Sequence, residues 1–586
     1  MTERLFTWRL RVMVVVLTVL WGGLAARLTY LQLWPKDALR EEIRRGHAIQ
    51  EKLPVGRGRI LDCRTNPLVQ DLPTMNVCAD PQEIIKDGKL RVVTLELARR
   101  LQLDPAVVFA QLNRPASRYQ RLQRFVPTDQ AREIEQLKLK GVFLEESSAR
   151  HYPKDQMMCH VIGFANFEGV GSAGLEQRLE SFLRGHPGIR EGVKDGRRRE
   201  IYGLRTTEIA PQEGADVVLT LDQNAQHVME KALDEAMRVN QAKGAWAIIA
   251  RVRTGEILAM ASRPAYNPND FRHAPPETLR NNVIGYSYEP GSTFKLATIA
   301  AALNEGTVTP DTMFNCENGK WLFHGKVLHD YHPYGWLSVA DIIKKSSNIG
   351  AAKIALTLGE ARLEQYLRAF GFGRPTGIDL PGEESGLLHP VARWTPLSIS
   401  RIPMGHEVLV TSLQMLNALC CIANEGRLMR PYVVQRVVDP RGRILLQGAP
   451  REIGRPIRAD TARLMCRLLT RVTEPGGTGA KAAVTNYTVA GKTGTAVKVM
   501  DGKYVGSLNI ASFAGFLPAE KPELAIMVVV DEPQPLHTGG LVAAPVFRDI
   551  AAQVIRYFDI PPAGDQSAVV SAPMAGNHEA FSGGAE

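Results

Sequence analysis

Cysteine is scarce in this chain of 586 residues, with seven at Cys63, Cys78, Cys159, Cys316, Cys420, Cys421 and Cys466. No CxxC pair occurs, which argues against zinc ribbons and dithiol redox chemistry. An odd count leaves at least one thiol without an intramolecular partner, and buried structural thiols are the simplest reading. A second long hydrophobic run is missing after residue 33, and a mean hydropathy of -0.13 excludes a polytopic membrane protein. There is no internal repeat, so solenoids and propellers drop out. Lys and Arg number 71 against 61 acids, a net charge of +10. That balance invites nucleic acid or an anionic membrane surface, yet no stretch resembles a nucleic-acid-binding module.

What is present begins with an apolar segment. Residues 12–33, interrupted by Arg27, number 22 and would span about 33 Å as a helix, enough to cross a bilayer. Arg4, Arg9 and Arg11 precede it, so residues 1–11 are expected on the cytoplasmic side and the body outside. Trp8, Tyr30 and Trp34 sit where interfacial anchors are expected. The small residues Gly22-Gly23-Leu24-Ala25-Ala26 offer a rival reading as a cleaved signal peptide. The apolar residues that continue past them favour an uncleaved anchor.

The length allows roughly four units of average size. Gly56 to Ile60 reads as a loop entering a short strand. Residues 85–150 read as short amphipathic helices with basic faces, such as 90–101 and 128–137. Residues 174–183 carry another helical pattern, and 192–208 a solvated hairpin with a charge run at Arg197-Arg198-Arg199. At Asp216 the texture changes. Strands are expected at 217–221, 245–252, 256–262, 487–490, 510–516 and 524–530. Helices are expected at 223–239, 292–304, 338–345, 349–358 and 411–425. Strands at both ends with helices between them predict an α+β domain whose sheet is assembled from distant parts of the chain. Residues 563–586 lack periodicity and are expected to be disordered.

Three short motifs follow in order: Ser292-Thr293-Phe294-Lys295, Ser346-Ser347-Asn348 and Lys492-Thr493-Gly494-Thr495. Each alone is weak, and the trio in this order is a recognised signature. Ser292 is predicted at a helix N-terminus, where free N–H groups favour developing negative charge. Lys295 lies at i+3 on the same face. Serine needs a base to become a nucleophile, and Lys295 becomes one if burial and a second cation, with Lys492 the candidate, lower its pKa. Ser346 and Asn348 are expected to face one cleft as alternate residues of an extended stretch. Ser346 would relay a proton and Asn348 would bind a substrate amide. Gly494 would leave room for a substrate backbone along the strand, and Thr493 and Thr495 would hold a carboxylate beside Lys492. The N–H groups of Ser292 and Thr495 are the candidate oxyanion donors. His329 and His332 lie at the spacing of two metal ligands but read as a polar loop, since no third ligand is in view.

With these residues in hand the chain resembles the class B penicillin-binding proteins. Further segments carry the resemblance: Gly214 to Asp222, Thr254 to Ser262, Tyr266 to Asn269, Glu289 to Lys295, Thr376 to Gly382 and Val542 to Phe547. In the N-terminal half Arg57-Gly58-Arg59-Ile60-Leu61-Asp62, Arg150-His151-Tyr152-Pro153 and Gly174-Leu175-Glu176 resemble the family's pedestal motifs. After Asp62 the chain departs from the usual Arg-Asn-Gly with Cys63-Arg64-Thr65-Asn66-Pro67, which puts the local turn in doubt.

The resemblance implies a tail at 1–11, an anchor at 12–33, an elongated pedestal at 34–215, a transpeptidase domain at 216–562 with a central antiparallel sheet flanked by helices, and a tail at 563–586. It implies a serine D-Ala-D-Ala transpeptidase acting on peptidoglycan stem peptides outside the bacterial inner membrane. No cofactor or metal is implied, β-lactams would be covalent inhibitors, and an FtsW-type glycan polymerase with other division proteins would be partners. Ser346-Ser347-Asn348-Ile349-Gly350 and Ser512 to Phe516 look like the septal, FtsI-type branch. The competing readings are an elongation-type enzyme, a β-lactamase or β-lactam sensor, and a non-catalytic division scaffold.

Overall fold

The computed structural model describes residues 2–33, 48–53, 55–193, 207–500 and 503–562. The 563–586 tail, the middle of the 192–208 hairpin with its arginine run, and residues 34–47 of the anticipated pedestal lie outside the described residues. The chain divides into two units, each described by itself: residues through 55 with His186–Gln212, and Gly56–Gly185 with the remainder from Glu213.

In the first unit one continuous helix, α1 (Thr2–Leu33), begins earlier than the apolar core of the anchor. Its Phe6–Gln32 stretch is long and apolar enough to cross a membrane, and none of it is buried against protein. Strands Ala48–Leu53, Gly188–Val193 and Thr207–Ile209 form a three-stranded antiparallel sheet. The last two pair Glu191 with Thr207, so they form the legs of the expected hairpin.

The second unit opens with β1 (Ile60–Leu61), β2 (Pro67–Ala79), α2 (Leu90–Leu101), β3 (Gln120–Pro127), α3 (Thr128–Gln136) and β4 (Val142–His151). Then come β5 (Asp216–Leu219), α4 (Gln223–Asn240), β6 (Gly244–Arg251), β7 (Ile257–Arg263) and α5 (Lys295–Glu305). Further on lie α6 (Val339–Lys345), α7 (Asn348–Leu358), α8 (Ser412–Ala423), β8 (Val434–Val438) and β9 (Ile444–Gln447). The unit closes with β10 (Ala490–Met500), β11 (Lys503–Leu517), β12 (Leu524–Asp531) and α9 (Ala543–Tyr557). The fold class is α+β, as expected.

The two helices anticipated within 85–150 form as α2 and α3, but this stretch also holds β3 and β4. Both pair antiparallel with β2, itself unanticipated. Their residues alternate poorly between apolar and polar, and pairing along nearly the whole of β2 supplies what local pattern lacks. A mixed seven-stranded sheet runs β9-β8-β5-β1-β2-β3, with β4 also on β2 and the β1–β5 pair parallel. The unusual turn after β1 is closed by Asp62, whose Oδ1 accepts from the N–H of Arg64 at 2.9 Å and of Asn66 at 2.8 Å.

The five-stranded sheet runs β7-β6-β12-β11-β10, antiparallel throughout, and leaves β10 at an edge. Both faces are covered, which is why β6 and β12 read as unbroken apolar runs rather than alternating ones. Ala245, Ala247 and Ile249 pack with Met229 and Leu233 of α4 and Ile550 and Val554 of α9. Trp246, Ile248 and Ala250 pack on the opposite side with Ile299 of α5 and Leu413 and Leu416 of α8. Trp246 is buried and its Nε1 donates to Ser412 Oγ at 2.8 Å, which satisfies the indole and sets α8 against the sheet. Helix starts follow local chemistry. Asp222 caps α4 by accepting from the amides of Asn224 and Ala225, and Thr411 with Gln414 forms a capping box at α8.

Three motifs distant in sequence meet in one buried ionic cluster. Glu176 is fully buried and receives Arg57 Nε at 2.7 Å and Arg150 Nε at 2.6 Å. Arg150 Nη1 reaches Asp71 Oδ1 at 2.9 Å, and Arg57 also pairs with Glu180 at 2.7 Å. Every charge here has a partner, and Glu176 is the fully buried one that both guanidinium groups share, so removing its charge breaks two buried pairs at once. Glu176→Gln is expected to destabilise the protein by about 3–5 kcal/mol, read as a lower melting temperature. Arg59→Gln breaks an exposed pair with Asp216 and is expected to change stability by no more than about 1 kcal/mol.

Candidate active site

The segment Glu289-Pro290-Gly291 delivers Ser292 into a 3-10 turn, Gly291–Phe294, which runs directly into α5. The expected helix start is therefore one tight turn followed by the α-helix. Gly291 has φ +58, and a Cβ there would come within 2.5 Å of Thr495 O, so only glycine lets the turn seat against β10. Thr293 Oγ1 closes the turn by donating to Pro290 O at 2.9 Å. From Lys295 to Asn304 the helix is buried, so the turn is fixed by core packing.

Ser292 and Lys295 meet as the i, i+3 spacing predicts, with Lys295 Nζ 3.0 Å from Ser292 Oγ. Lys295 and Lys492 are both buried, and both amines reach Ser346 Oγ, at 3.2 and 2.8 Å. Burial lowers Lys295 to about 7, with Asp330 acting in the opposite sense. Burial, and after it the charge on Lys295, holds Lys492 well below the ordinary lysine range. Burial, one of the two expected causes, is the larger at both amines, and the repulsion between them is mutual and disfavours both being charged at once.

Burial favours the neutral form of Lys295, and its partners fix how that amine is turned. Its Nζ also lies 2.6 Å from the carbonyl of Ser346 and 2.7 Å from Asn348 Oδ1. Both are acceptors only. The Asn348 amide is oriented by its Nδ2, which donates to His329 O at 2.9 Å. A neutral amine that donates its two hydrogens to these oxygens has its lone pair left for the Ser292 hydroxyl.

Ser346 and Asn348 do converge on Lys295, but not through an extended stretch. Ser346 ends α6 in the left-handed region at φ 61, Ser347 caps α7, and Asn348 is the first residue of that helix. The reversal between two helices aims both side chains at the amine.

In β10 Lys492, Thr493, Gly494 and Thr495 pair with Ala514, Phe513, Ser512 and Ala511 of β11. The strand begins at Ala490, so the expected strand at 487–490 contributes only its last residue. Gly494 has a packing reason beside the expected one. A Cβ there would lie 2.2 Å from Ser512 Oγ and 2.9 Å from Thr293 Cγ2, so the Ser292 turn and β11 leave no space for a side chain. Thr493 Oγ1 lies 3.4 Å from Lys492 Nζ and 2.9 Å from Thr478 Oγ1. Thr495 is exposed, and its Oγ1 accepts from Gly539 N at 3.1 Å.

Sequence reasoning overlooked Asp330. Its carboxylate accepts from the amides of Asn348 and Ile349 and from Ser347 Oγ, the last at 2.6 Å, so it caps α7 from outside that helix. The residue stood within the His329–His332 loop weighed for metal, and only its acidity just ahead of the second motif hinted at a role. Among the described residues no group of three or more His, Cys, Asp or Glu is placed to hold a metal ion. Thr478 was also overlooked, in a glycine-rich loop that gave no signal. Beside Asn348 a cleft of about 380 Å³ opens, bounded by Val327, His329, Arg401, Met404, His406 and Tyr504.

The family profile described as penicillin binding protein transpeptidase domain matches residues 245–552, and that of the penicillin-binding protein dimerisation domain matches 52–219. The chain is 33% identical over 561 residues to peptidoglycan D,D-transpeptidase FtsI of Escherichia coli, covering 95% of this chain and 93% of that protein. It is 33% identical over 521 residues to stage V sporulation protein D of Bacillus subtilis, covering 87% and 79%. Among solved structures it is similar to penicillin binding protein 3 of Mycobacterium tuberculosis complexed with aztreonam, at 25% identity and a TM-score of 0.69, covering 87% of this chain and 98% of that one.

The geometry sets a pH dependence. With Lys295 lowered to about 7, acylation by a penicillin is expected to slow on the acid side of neutrality as the amine gains a proton, by about tenfold per pH unit well below that point. Asp330 raises the Lys295 pKa, so Asp330→Asn is expected to move this acid limb to lower pH. Stopped-flow acylation rates measured from pH 5 to 8 check both.

Proposed function

Since the chain belongs to the class B penicillin-binding proteins, the D,D-transpeptidases of peptidoglycan synthesis, we propose that Ser292 carries the acyl group in the cross-linking of stem peptides. The observation that carries this reading is the environment of Lys295. Full burial favours the neutral amine, and two acceptor-only oxygens turn it so that its lone pair is left for Ser292 Oγ.

Ser292 Oγ attacks the carbonyl of the penultimate D-Ala of a stem ending in D-Ala-D-Ala, and its proton passes to Lys295 Nζ. The oxyanion is held by the N–H groups of Ser292 and Thr495, each such donor being worth about 3 kcal/mol in enzymes where one has been removed. As the C–N bond breaks, Lys295 returns the proton through Ser346 Oγ to the departing D-Ala amine. An amine from a second stem then attacks the ester, gives up its proton along the same path, and releases Ser292. Lys492, Thr493 and Thr495 bind the terminal carboxylate, Asn348 orients the stem amide, and Gly494 lets the edge strand approach the turn. A β-lactam acylates the same oxygen.

The septal assignment draws on Ser346 to Gly350 and Ser512 to Phe516, and on the likeness to FtsI. In this reading the 34–215 segment is the pedestal of the 216–562 catalytic domain. Helix α1 is an uncleaved anchor, with Arg9 and Arg11 on its cytoplasmic flank and the catalytic domain outside the inner membrane. An FtsW-type polymerase and other division proteins are the partners.

The detergent-solubilised chain is expected to form a covalent adduct with a fluorescent penicillin that survives denaturing electrophoresis and is lost in Ser292→Ala. No adduct on folded wild type overturns the acyl-enzyme, and rapid release of hydrolysed penicillin favours a β-lactamase. A fluorescent fusion is expected to concentrate at midcell in dividing cells, whereas an even lateral pattern assigns the enzyme to elongation.

A further inference from the structure

Glu289 stands three residues ahead of Ser292 and takes no part in the steps above, yet its side chain is only 12% exposed and densely bonded. It accepts from Glu407 N at 3.0 Å, from His406 Nδ1 at 2.9 Å and from the Tyr504 hydroxyl, which lies 3.2 Å from each carboxylate oxygen. The donors come from two separate walls. His406 and Glu407 follow the 3-10 turn Ile402–Met404, and Tyr504 sits near the tip of the β10–β11 hairpin, opposite Val499. The His406 and Tyr504 rings meet edge to face, 5.6 Å between centroids. Glu407 is itself held, accepting from Arg401 Nη1 at 3.0 Å and Ser398 Oγ at 2.6 Å.

Two further facts tie this cluster to the reaction. A Cβ on Gly405 would fall 2.3 Å from Gly291 O, so the segment that carries His406 lies directly on the residue before the nucleophile. Tyr504, His406, Arg401 and Met404 also line the 380 Å³ cleft that ends at Asn348. One carboxylate thus joins the serine turn to both walls of the cleft.

We infer that Glu289, His406 and Tyr504 form a clasp that fixes the pose of the Ser292 turn and the spacing of the cleft walls, and so selects acyl donors by the bulk of the group lying in the cleft. The three are positioning residues, and the inference deepens the acyl-enzyme reading and rests on it. Glu289 holds the turn and Tyr504 holds the start of β11. Loosening the first degrades the chemical step, and loosening the second degrades discrimination.

The test follows acylation of the full-length protein in detergent by two penicillins, one with a compact and one with a bulky aromatic side chain. The maximal rate is separated from half-saturation. Tyr504→Phe keeps the ring and loses the hydroxyl, and is expected to change the compact-to-bulky preference at least threefold in favour of the bulky compound. Glu289→Ala is expected to lower the maximal rate for both compounds about tenfold or more, since small misplacements of reacting groups carry penalties of that order. Glu289→Gln keeps an acceptor of the same shape and is expected to recover most of that loss. An unchanged preference in Tyr504→Phe, or a wild-type rate in Glu289→Ala, overturns the clasp, as does a Gln variant no better than Ala. If Glu289→Ala fails to fold, the preference shift in Tyr504→Phe decides. Amide hydrogen exchange needs no acylation and separates the two failures. Residues 289–294 and 403–407 are expected to exchange faster in Tyr504→Phe even if wild type proves unreactive toward penicillins, and unchanged protection there overturns the clasp by itself.

Discussion

Two lysines are buried around a single hydroxyl, and much of the catalytic half of the molecule is arranged to make that tolerable. An ammonium group taken out of water is expensive, and two such groups sharing Ser346 Oγ repel each other as well. The protein answers with oxygens. The carbonyl of Ser346, the amide oxygen of Asn348 and the carbonyl of Thr493 supply acceptors where bulk water is excluded. Supplying them requires a left-handed residue between α6 and α7, a cap on α7 from outside that helix, and a strand edge against the start of α5. Two of these are backbone features and the third is the Asp330 side chain, all set by packing, so the surroundings of the serine are inherited from the fold.

Asp330 illustrates how one group serves both purposes. Its carboxylate satisfies two orphan amides at the start of α7, an ordinary structural duty. The same charge lies near enough to Lys295 to counter part of the effect of burial. Stability and reactivity are therefore coupled through one side chain, and the cap cannot be exchanged for a neutral one without retuning the amine.

Much of this was legible in the sequence because it is encoded locally. The i, i+3 spacing of Ser292 and Lys295, the apolar run of α5 and the continuous hydrophobic strands β6 and β12 each carry their own signal. What was not legible depends on partners remote in the chain. Strands β2, β3 and β4 lack clean alternation and exist because they pair with one another. Asp330 looked like part of a polar loop until α7 was seen to start above it. Gly494 carries a second constraint of the same kind: a strand glycine suggests room for a ligand, and the contacts of Thr293 and Ser512 that also require it come from remote parts of the chain. Arg57, Arg150 and Glu176 stood in quoted motifs, but nothing in their spacing announced that they share one buried cluster.

The close contact at Gly291 and Gly494 has a bearing on how such an enzyme can change. A single added carbon at either position collides with backbone or side-chain atoms at 2.5 Å or less. Both walls of that seam belong to elements fixed by the core. The innermost surface of the site is therefore closed to gradual evolution: one nucleotide change away from glycine lies a folding or catalytic defect. Selection for altered ligand preference must work from the periphery, in the solvent-facing cleft lined by Arg401, His406 and Tyr504, where substitutions can accumulate one at a time while the seam stays as it is.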